Sequence, residues 1–537
     1  MFPPMSSDRA RWLLLAIAAL VLVGHSLAYN FVTDDAYISF VYSRNLAEHG
    51  ELSFNLGQPV EGYTSFLWTV LVGLGMFAKI PPEWSSRVLA TVCALLTLYV
   101  VFRLVERAFG RKTPWATVPP LLLAASSGFA CWTSGGLETQ LFTLLVVVAV
   151  DGVVDAVTRP AAIRRAGLAL ALAAMTRPEG LLVAGVLGIV QLTSLVQMAM
   201  AYRRMPNIRN ELYAIVLFLV LWTPWFAWRA WYYGHLWPNT YYVKAAGRWI
   251  DPKFELEMYR LGAHYLWAWL NQTKLLYALP LVITGLIVGR PRTPRFVLAM
   301  SCLLLAATYL PYVVTVGGDF MGLHRFIMPL FVVAAITVTL GLETLTGFAP
   351  NPARFGAILA TLLVGAFAFT QLQLTRESLR FGNFANDRGI DTPAFLIVYT
   401  DDRAAIGKTM APCFAPDDFS IVGGAGAQPY YGRMRGIDVF GLVSERIAHE
   451  EPRIRARAGH TKFGSDSLLA SYDPTFVFSC YQIHGTPEQP RLPCAGFWLG
   501  RGYEQVTLRI PGMKQQGEYY TFLAKKARNF QCPARVK

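Results

Sequence analysis

Apolar residues fall along this chain in runs too long and unbroken to be the buried stripes of soluble helices. After Arg9 and Arg11 the chain is apolar from Trp12 to about Tyr29, and runs of spanning length follow at approximately 86–106, 115–132, 136–157, 161–175, 180–200, 211–231, 265–289, 296–316, 326–346 and 354–373. A helix rises about 1.5 Å per residue, so roughly 20 apolar residues match the thickness of a bilayer's hydrocarbon. The pattern predicts eleven spanning helices. The run 66–79 is shorter and ends at Ile80-Pro81-Pro82, as an interfacial helix would. The first run has a second reading as a signal peptide, because Ser26-Leu27-Ala28 imitates a cleavage site. An uncleaved anchor is preferred, since cleavage would leave the next polar segment on a frayed terminus.

Charge settles whether 66–79 crosses. If it does not, Arg111/Lys112, Arg159/Arg164/Arg165, Arg203/Arg204/Arg209, Arg290/Arg292/Arg295 and Arg354 all lie on the side of Arg9/Arg11, as cytoplasmic loops require. Eleven crossings from a cytoplasmic N-terminus then place everything after about residue 374 outside the cytoplasm. That tail has no spanning run, carries Gly/Pro turns and short β-rich pieces at 476–478 and 506–510, and is large enough for its own core. The expected architecture is mainly α: a polytopic membrane domain over 1–373, with a first extracytoplasmic loop and interfacial helix over 30–83, and a soluble α/β domain over 374–537.

Composition agrees with this picture. The chain of 537 residues is 54% hydrophobic and only 15% charged. Its net charge of +14 sits in short clusters between apolar runs, so it orients the chain and does not form a nucleic-acid face. Of seven cysteines, Cys93, Cys131 and Cys302 lie in or beside apolar runs and read as small buried hydrophobes. Cys413, Cys480, Cys494 and Cys532 lie in the tail, where an oxidising compartment would allow one or two disulfides.

The topology gathers unusual polar residues on one face. The first outer loop contains Thr33-Asp34-Asp35-Ala36-Tyr37-Ile38-Ser39 and ends with Val60-Glu61-Gly62-Tyr63-Thr64-Ser65. Adjacent carboxylates at a membrane helix end suit proton transfer or a cation, although an aspartate N-cap explains them equally. Glu138, after Gly135-Gly136-Leu137, stands at a helix start, where its charge is favoured in any protein. Thr176-Arg177-Pro178-Glu179-Gly180 puts a charged pair into a tight break between apolar helices. The stretch Trp237-Pro238-Asn239-Thr240-Tyr241-Tyr242-Val243-Lys244 has aromatics that a membrane interface explains and a lysine that it does not. Gly317-Gly318-Asp319-Phe320-Met321-Gly322-Leu323-His324-Arg325 joins glycines, which let backbone approach a ligand, to cations that grip phosphate.

Asp34 to Phe40, Arg44 to Gly50 and Val60 to Trp68 resemble the GT-C glycosyltransferase superfamily, and within it the mycobacterial-type terminal β-(1→2) arabinofuranosyltransferases. Gly136-Leu137-Glu138-Thr139, 176–180, 238–240, 317–321 and 437–448 support the resemblance, which covers nearly the whole chain. It implies inverting transfer from a polyprenyl-phosphate sugar, such as decaprenyl-phosphate arabinofuranose, to a cell-envelope glycan or glycoconjugate. The site would face outward from a bacterial inner membrane.

The resemblance assigns the base to Asp34, with Asp35 as the partner that tunes or positions it. Charge marks Lys244, His324, Arg325 and Arg177 as groups to stabilise the leaving phosphodiester. Glu61, Tyr63, Glu138, Asn239 and Asp319 are expected around the sugar or acceptor. A divalent cation is neither required nor excluded by these residues, and no cofactor is otherwise implied. A transporter or flippase of the same lipid-linked sugar is the competing reading, but it predicts two similar halves, and none stand out. An adhesion or structural protein would leave the carboxylate and basic loops without a role.

Overall fold

A computed structural model describes residues 7–245, 252–287, 290–380, 389–454 and 457–536. Helix α1 (Ser7–Tyr29) leads into α2 (Asp34–His49), the short α3 (Phe66–Phe77) and the long α4 (Pro82–Phe109). Next come α5 (Val118–Ala125), α6 (Ser127–Ser134), α7 (Thr139–Ala156), α8 (Ile163–Thr176), α9 (Glu179–Tyr202), α10 (Arg209–Tyr233) and α11 (Asn239–Lys244). The helical part closes with α12 (Pro252–Gln272), α13 (Leu275–Leu286), α14 (Pro294–Val316), α15 (Met328–Thr346) and α16 (Pro352–Ser378).

Among the described residues, eight helices are long and apolar enough to cross a membrane. The three other expected spans depart from single long helices. The run 115–132 divides at Ser126, whose extended backbone ends α5 and whose hydroxyl caps α6 through the N–H of Phe129. Serine competes with helical hydrogen bonding in this way, which apolar periodicity does not register. The run 265–289 divides at Lys274, which adopts a left-handed φ of 57°, so its first part belongs to α12 and only α13 is wholly apolar. The run 161–175 becomes α8, of 14 residues. Helix α3, with 12 residues, is about 18 Å long and short of the hydrocarbon thickness.

One end of the bundle is tied by ions. Arg11 pairs with Glu106 and Asp8, Lys112 reaches Asp8 at 2.7 Å, and Arg165 bridges Asp151 and Asp155 at 2.8 and 3.0 Å. Basic residues assigned to a single side by charge counting thus meet in space, and acidic residues inside the α7 run neutralise several of them. Helix α1 carries the chain from that end over a rise of about 34 Å to the end where α2 begins.

Beyond α16 lie α17 (Pro393–Met410), β1 (Ser420–Val422), α18 (Ala427–Gly432), β2 (Gly436–Asp438), α19 (Glu445–Glu450), α20 (Asp466–Ala470), β3 (Phe476–His484), α21 (Gly496–Leu499), β4 (Tyr503–Arg509) and β5 (Tyr519–Lys525). The sheet order is β2-β1-β3-β5-β4, with β1 parallel to β2 and β3 and the other pairs antiparallel. Its faces pack separate apolar clusters, one around Phe476, Phe478 and Phe522 and the other around Ile421, Val477 and Trp498. The fold is mainly α with a C-terminal α/β sheet domain. Cys413 is bonded to Cys532 and Cys480 to Cys494, while Cys93, Cys131 and Cys302 are free and buried.

Candidate active site

Helix α2 sets the site. Its N-cap is Thr33, whose N–H is held by the carbonyl of Gly135 at 3.1 Å, so both aspartates fall in the first helical turn. Negative charge is favoured there by the unsatisfied N–H groups. Neighbours on a helix point about 100° apart, so the two carboxylates cannot share one environment. Asp35 faces a cavity. Asp34 turns to the C-terminal domain, where its Oδ1 accepts the N–H of Ala427 at 2.8 Å.

The cavity has a volume of about 440 Å³ and is built from segments far apart in sequence. Helix α2 contributes Asp35 and Ser39, the first loop Tyr63 to Ser65, and the α8–α9 break Arg177 and Glu179. Helix α11 adds Tyr241 and Lys244, the loop after α14 adds Asp319, Phe320 and Arg325, and the C-terminal domain adds Leu442, Ala458, Gly459 and Thr461.

Within it the charges differ in availability. Arg325 pairs with Asp319 at 2.7 Å, and buried Arg177 sits between Glu179 at 3.3 Å and Glu138 at 3.8 Å. Asp35 and Lys244, by contrast, have no hydrogen-bonded or ion-paired side-chain partner among the described residues. Burial raises the pKa of the Asp35 carboxyl, opposed by Arg325 and Lys244. Burial likewise lowers that of the Lys244 ammonium, opposed by Asp35. Both shifts reflect desolvated charge waiting for a partner. Behind Asp35, burial pushes the Asp34 carboxyl up to about 6, despite the Ala427 N–H that favours its ionised form.

The sequence-derived site residues divide accordingly. Asp35, Lys244, Arg325, Arg177, Glu138, Asp319 and Tyr63 line the cavity. The Tyr63 hydroxyl is already engaged with that of Tyr233 at 3.0 Å. His324, Glu61, Asn239 and Asp34 lie outside the lining. His324 is buried against Tyr265 and its Nε2 meets Gln272 Oε1 at 2.9 Å. Glu61 is locked to Arg229 at 2.8 Å, joining the first loop to α10. The Asn239 amide donates to the carbonyls of Gly441 and Leu442 at 2.7 and 2.9 Å, joining α11 to the C-terminal domain.

Sequence reasoning placed Glu179 in a motif without giving it a role, and it missed the contribution of 458–461, which carries no local signal. Among the described residues no three His, Cys, Asp or Glu side chains gather as a metal site.

No protein-family model matches the chain, and no curated protein matches it by sequence. Among solved structures it is similar to ArnT from Cupriavidus metallidurans bound to undecaprenyl phosphate, with a TM-score of 0.60 at 14% identity over 96% of this chain and 98% of that one. The same protein in its apo state gives 0.54 at 14% identity, over 97% and 99%. The oligosaccharyltransferase of Archaeoglobus fulgidus, in complex with Zn and sulfate, gives 0.50 at 12% identity, over 79% and 62%. These likenesses extend through the helical part and the C-terminal domain and establish the fold.

Proposed function

We propose that this chain is an inverting membrane glycosyltransferase that moves a sugar, arabinofuranose, from a polyprenyl-phosphate donor to a cell-envelope glycan or glycoconjugate. The observation that carries the proposal is one cavity holding a carboxylate, Asp35, together with an ammonium, Lys244, both unpaired among the described residues. A proton acceptor and an anion-seeking cation are the two groups that transfer from a lipid phosphate needs. The similarity to a protein bound to undecaprenyl phosphate supports the donor class.

In this reading the base is Asp35 and not Asp34, because only Asp35 faces the cavity. Asp35 takes the proton of an acceptor hydroxyl as its oxygen bonds to the anomeric carbon. The bond from that carbon to the lipid phosphate breaks on the opposite face, and its electron pair leaves with the phosphate. Lys244 and Arg325 offset the charge that develops there. Glu138 and Glu179 hold the Arg177 guanidinium at the wall, and Asp319 orients Arg325. Residues 1–373 form the membrane catalytic domain and 374–537 an extracytoplasmic domain, a placement supported by its two disulfides.

The test is transfer of radiolabelled sugar from synthetic polyprenyl-phosphate arabinofuranose to a short glycan, comparing wild type with Asp35→Asn and Lys244→Ala. Loss of a general base is expected to cost about 10²- to 10⁴-fold in kcat. Wild-type inactivity across several donor sugars and acceptors would refute the glycosyltransferase reading. Full activity in Asp35→Asn would keep the enzyme and remove this base.

A further inference from the structure

The C-terminal domain does more around α2 than close the cavity. The turn from β1 to α18 reads Gly423-Gly424-Ala425-Gly426, and its glycines answer to Asp34. A Cβ on Gly426 would overlap both the carboxylate and the backbone carbonyl of Asp34, and one on Gly424 would stand 3.3 Å from Asp34 Oδ2. With no side chain in the way, the Ala427 N–H reaches Asp34 Oδ1 at 2.8 Å. The guanidinium of buried Arg403, anchored on Tyr481, supplies positive charge to the same spot.

Contacts continue along α2. The Tyr37 and Tyr431 hydroxyls meet at 3.2 Å, Arg44 donates to the Tyr430 carbonyl at 2.8 Å, and Arg433 pairs with Glu48 at 3.2 Å. One segment, 424–433, therefore follows the helix from its first residue to its last turn.

Resting on the functional reading above, we propose that this segment is a clamp that aims Asp35, and that Asp34 is the positioning residue it grips. Held at Asp34, α2 cannot rotate, and a fixed rotation is what keeps its next side chain in the cavity. Asp34 serves as a hydrogen-bond acceptor in this role, so its negative charge is dispensable.

The test compares full-length wild type with Gly426→Ala, Asp34→Asn and Asp34→Ala in lipid nanodiscs. In the transfer assay, Gly426→Ala and Asp34→Ala should lower kcat about 100-fold, the scale expected for misplacing a catalytic group by about 1 Å, with donor KM within a few-fold of wild type. Asp34→Asn keeps an oxygen for the Ala427 N–H and should lose less than about ten-fold. Equal losses in Asp34→Asn and Asp34→Ala, or unimpaired kcat in a folded Gly426→Ala, would overturn the clamp. Amide hydrogen exchange over 35–45 reads the same grip without any substrate. Exchange should quicken about ten-fold or more in Asp34→Ala and stay near wild type in Asp34→Asn. Unchanged exchange in Asp34→Ala would remove the clamp whether or not the wild type transfers sugar, whereas wild-type inactivity with the exchange pattern intact would remove only the donor reading.

Discussion

Asp35 and Lys244 are desolvated charges that influence each other without touching, and the space between them is what a substrate can use. That arrangement gives the site a definite pH response. In the proposed reaction Asp35 must be ionised, and burial raises its pKa, so activity should fall on acidification at a pH above the ordinary carboxylate range. Lys244 lowers the Asp35 pKa and Asp319 raises it. Lys244→Ala should therefore move the acid limb of kcat/KM to higher pH, and Asp319→Asn should move it to lower pH. A pH–rate profile with both limbs unmoved would exclude Asp35 as the titrating group. Stability runs the other way: a raised folded-state pKa favours the fold below the unfolded pKa, and that contribution is lost as pH rises through the folded value. At this scale the sequence displayed both aspartates but not their division of labour. Which of two adjacent carboxylates meets the cavity depends on the rotation of α2, fixed by residues nearly 400 positions away.

Helices here are joined to the site by buried polar pairs that the apolar pattern does not disclose. Glu61 with Arg229 and Asn239 with the 441–442 carbonyls hold the first loop, α10, α11 and the C-terminal domain in one arrangement. Breaking a buried ion pair by removing one partner leaves an uncompensated charge, which costs about 3–5 kcal/mol. Glu61→Ala should accordingly lower the thermal unfolding midpoint strongly, while Glu61→Ala with Arg229→Met should recover much of the loss. If the single variant unfolds like wild type, this pair does not hold the loop. Glu61 was expected near the sugar because it follows the resemblance in sequence. A glutamate beside an outer loop gives no hint that an arginine on a helix 168 residues later reaches it first.

The whole molecule is bound across its length: the C-terminal domain completes a cavity begun by the first loop, and its own ends are linked by Cys413–Cys532 over a separation of 119 residues. Closing so long a loop restricts the unfolded chain, worth about 2–4 kcal/mol in typical cases. Cys413→Ser with Cys532→Ser should lower the stability of the domain by that order, measured by limited proteolysis under native conditions. A reducing agent should destabilise wild type by at least as much, and the double variant by less, since only Cys480–Cys494 is left there to reduce. If wild type shows no response to reduction, the bond is not holding the domain.

Apolar runs alone determined that the chain is polytopic, because twenty adjacent apolar residues have few other stable environments. Short β-rich pieces and Gly/Pro turns likewise marked an α/β domain in the tail. Local pattern also exposed the loops bearing charge, since an ionisable group near hydrocarbon costs energy unless it has a partner. The tertiary structure alone decided where α5 and α6 part, which carboxylate serves the cavity, and which cations are already spent on internal pairs. Those outcomes depend on side-chain direction and on partners distant in sequence, and a one-dimensional pattern carries neither.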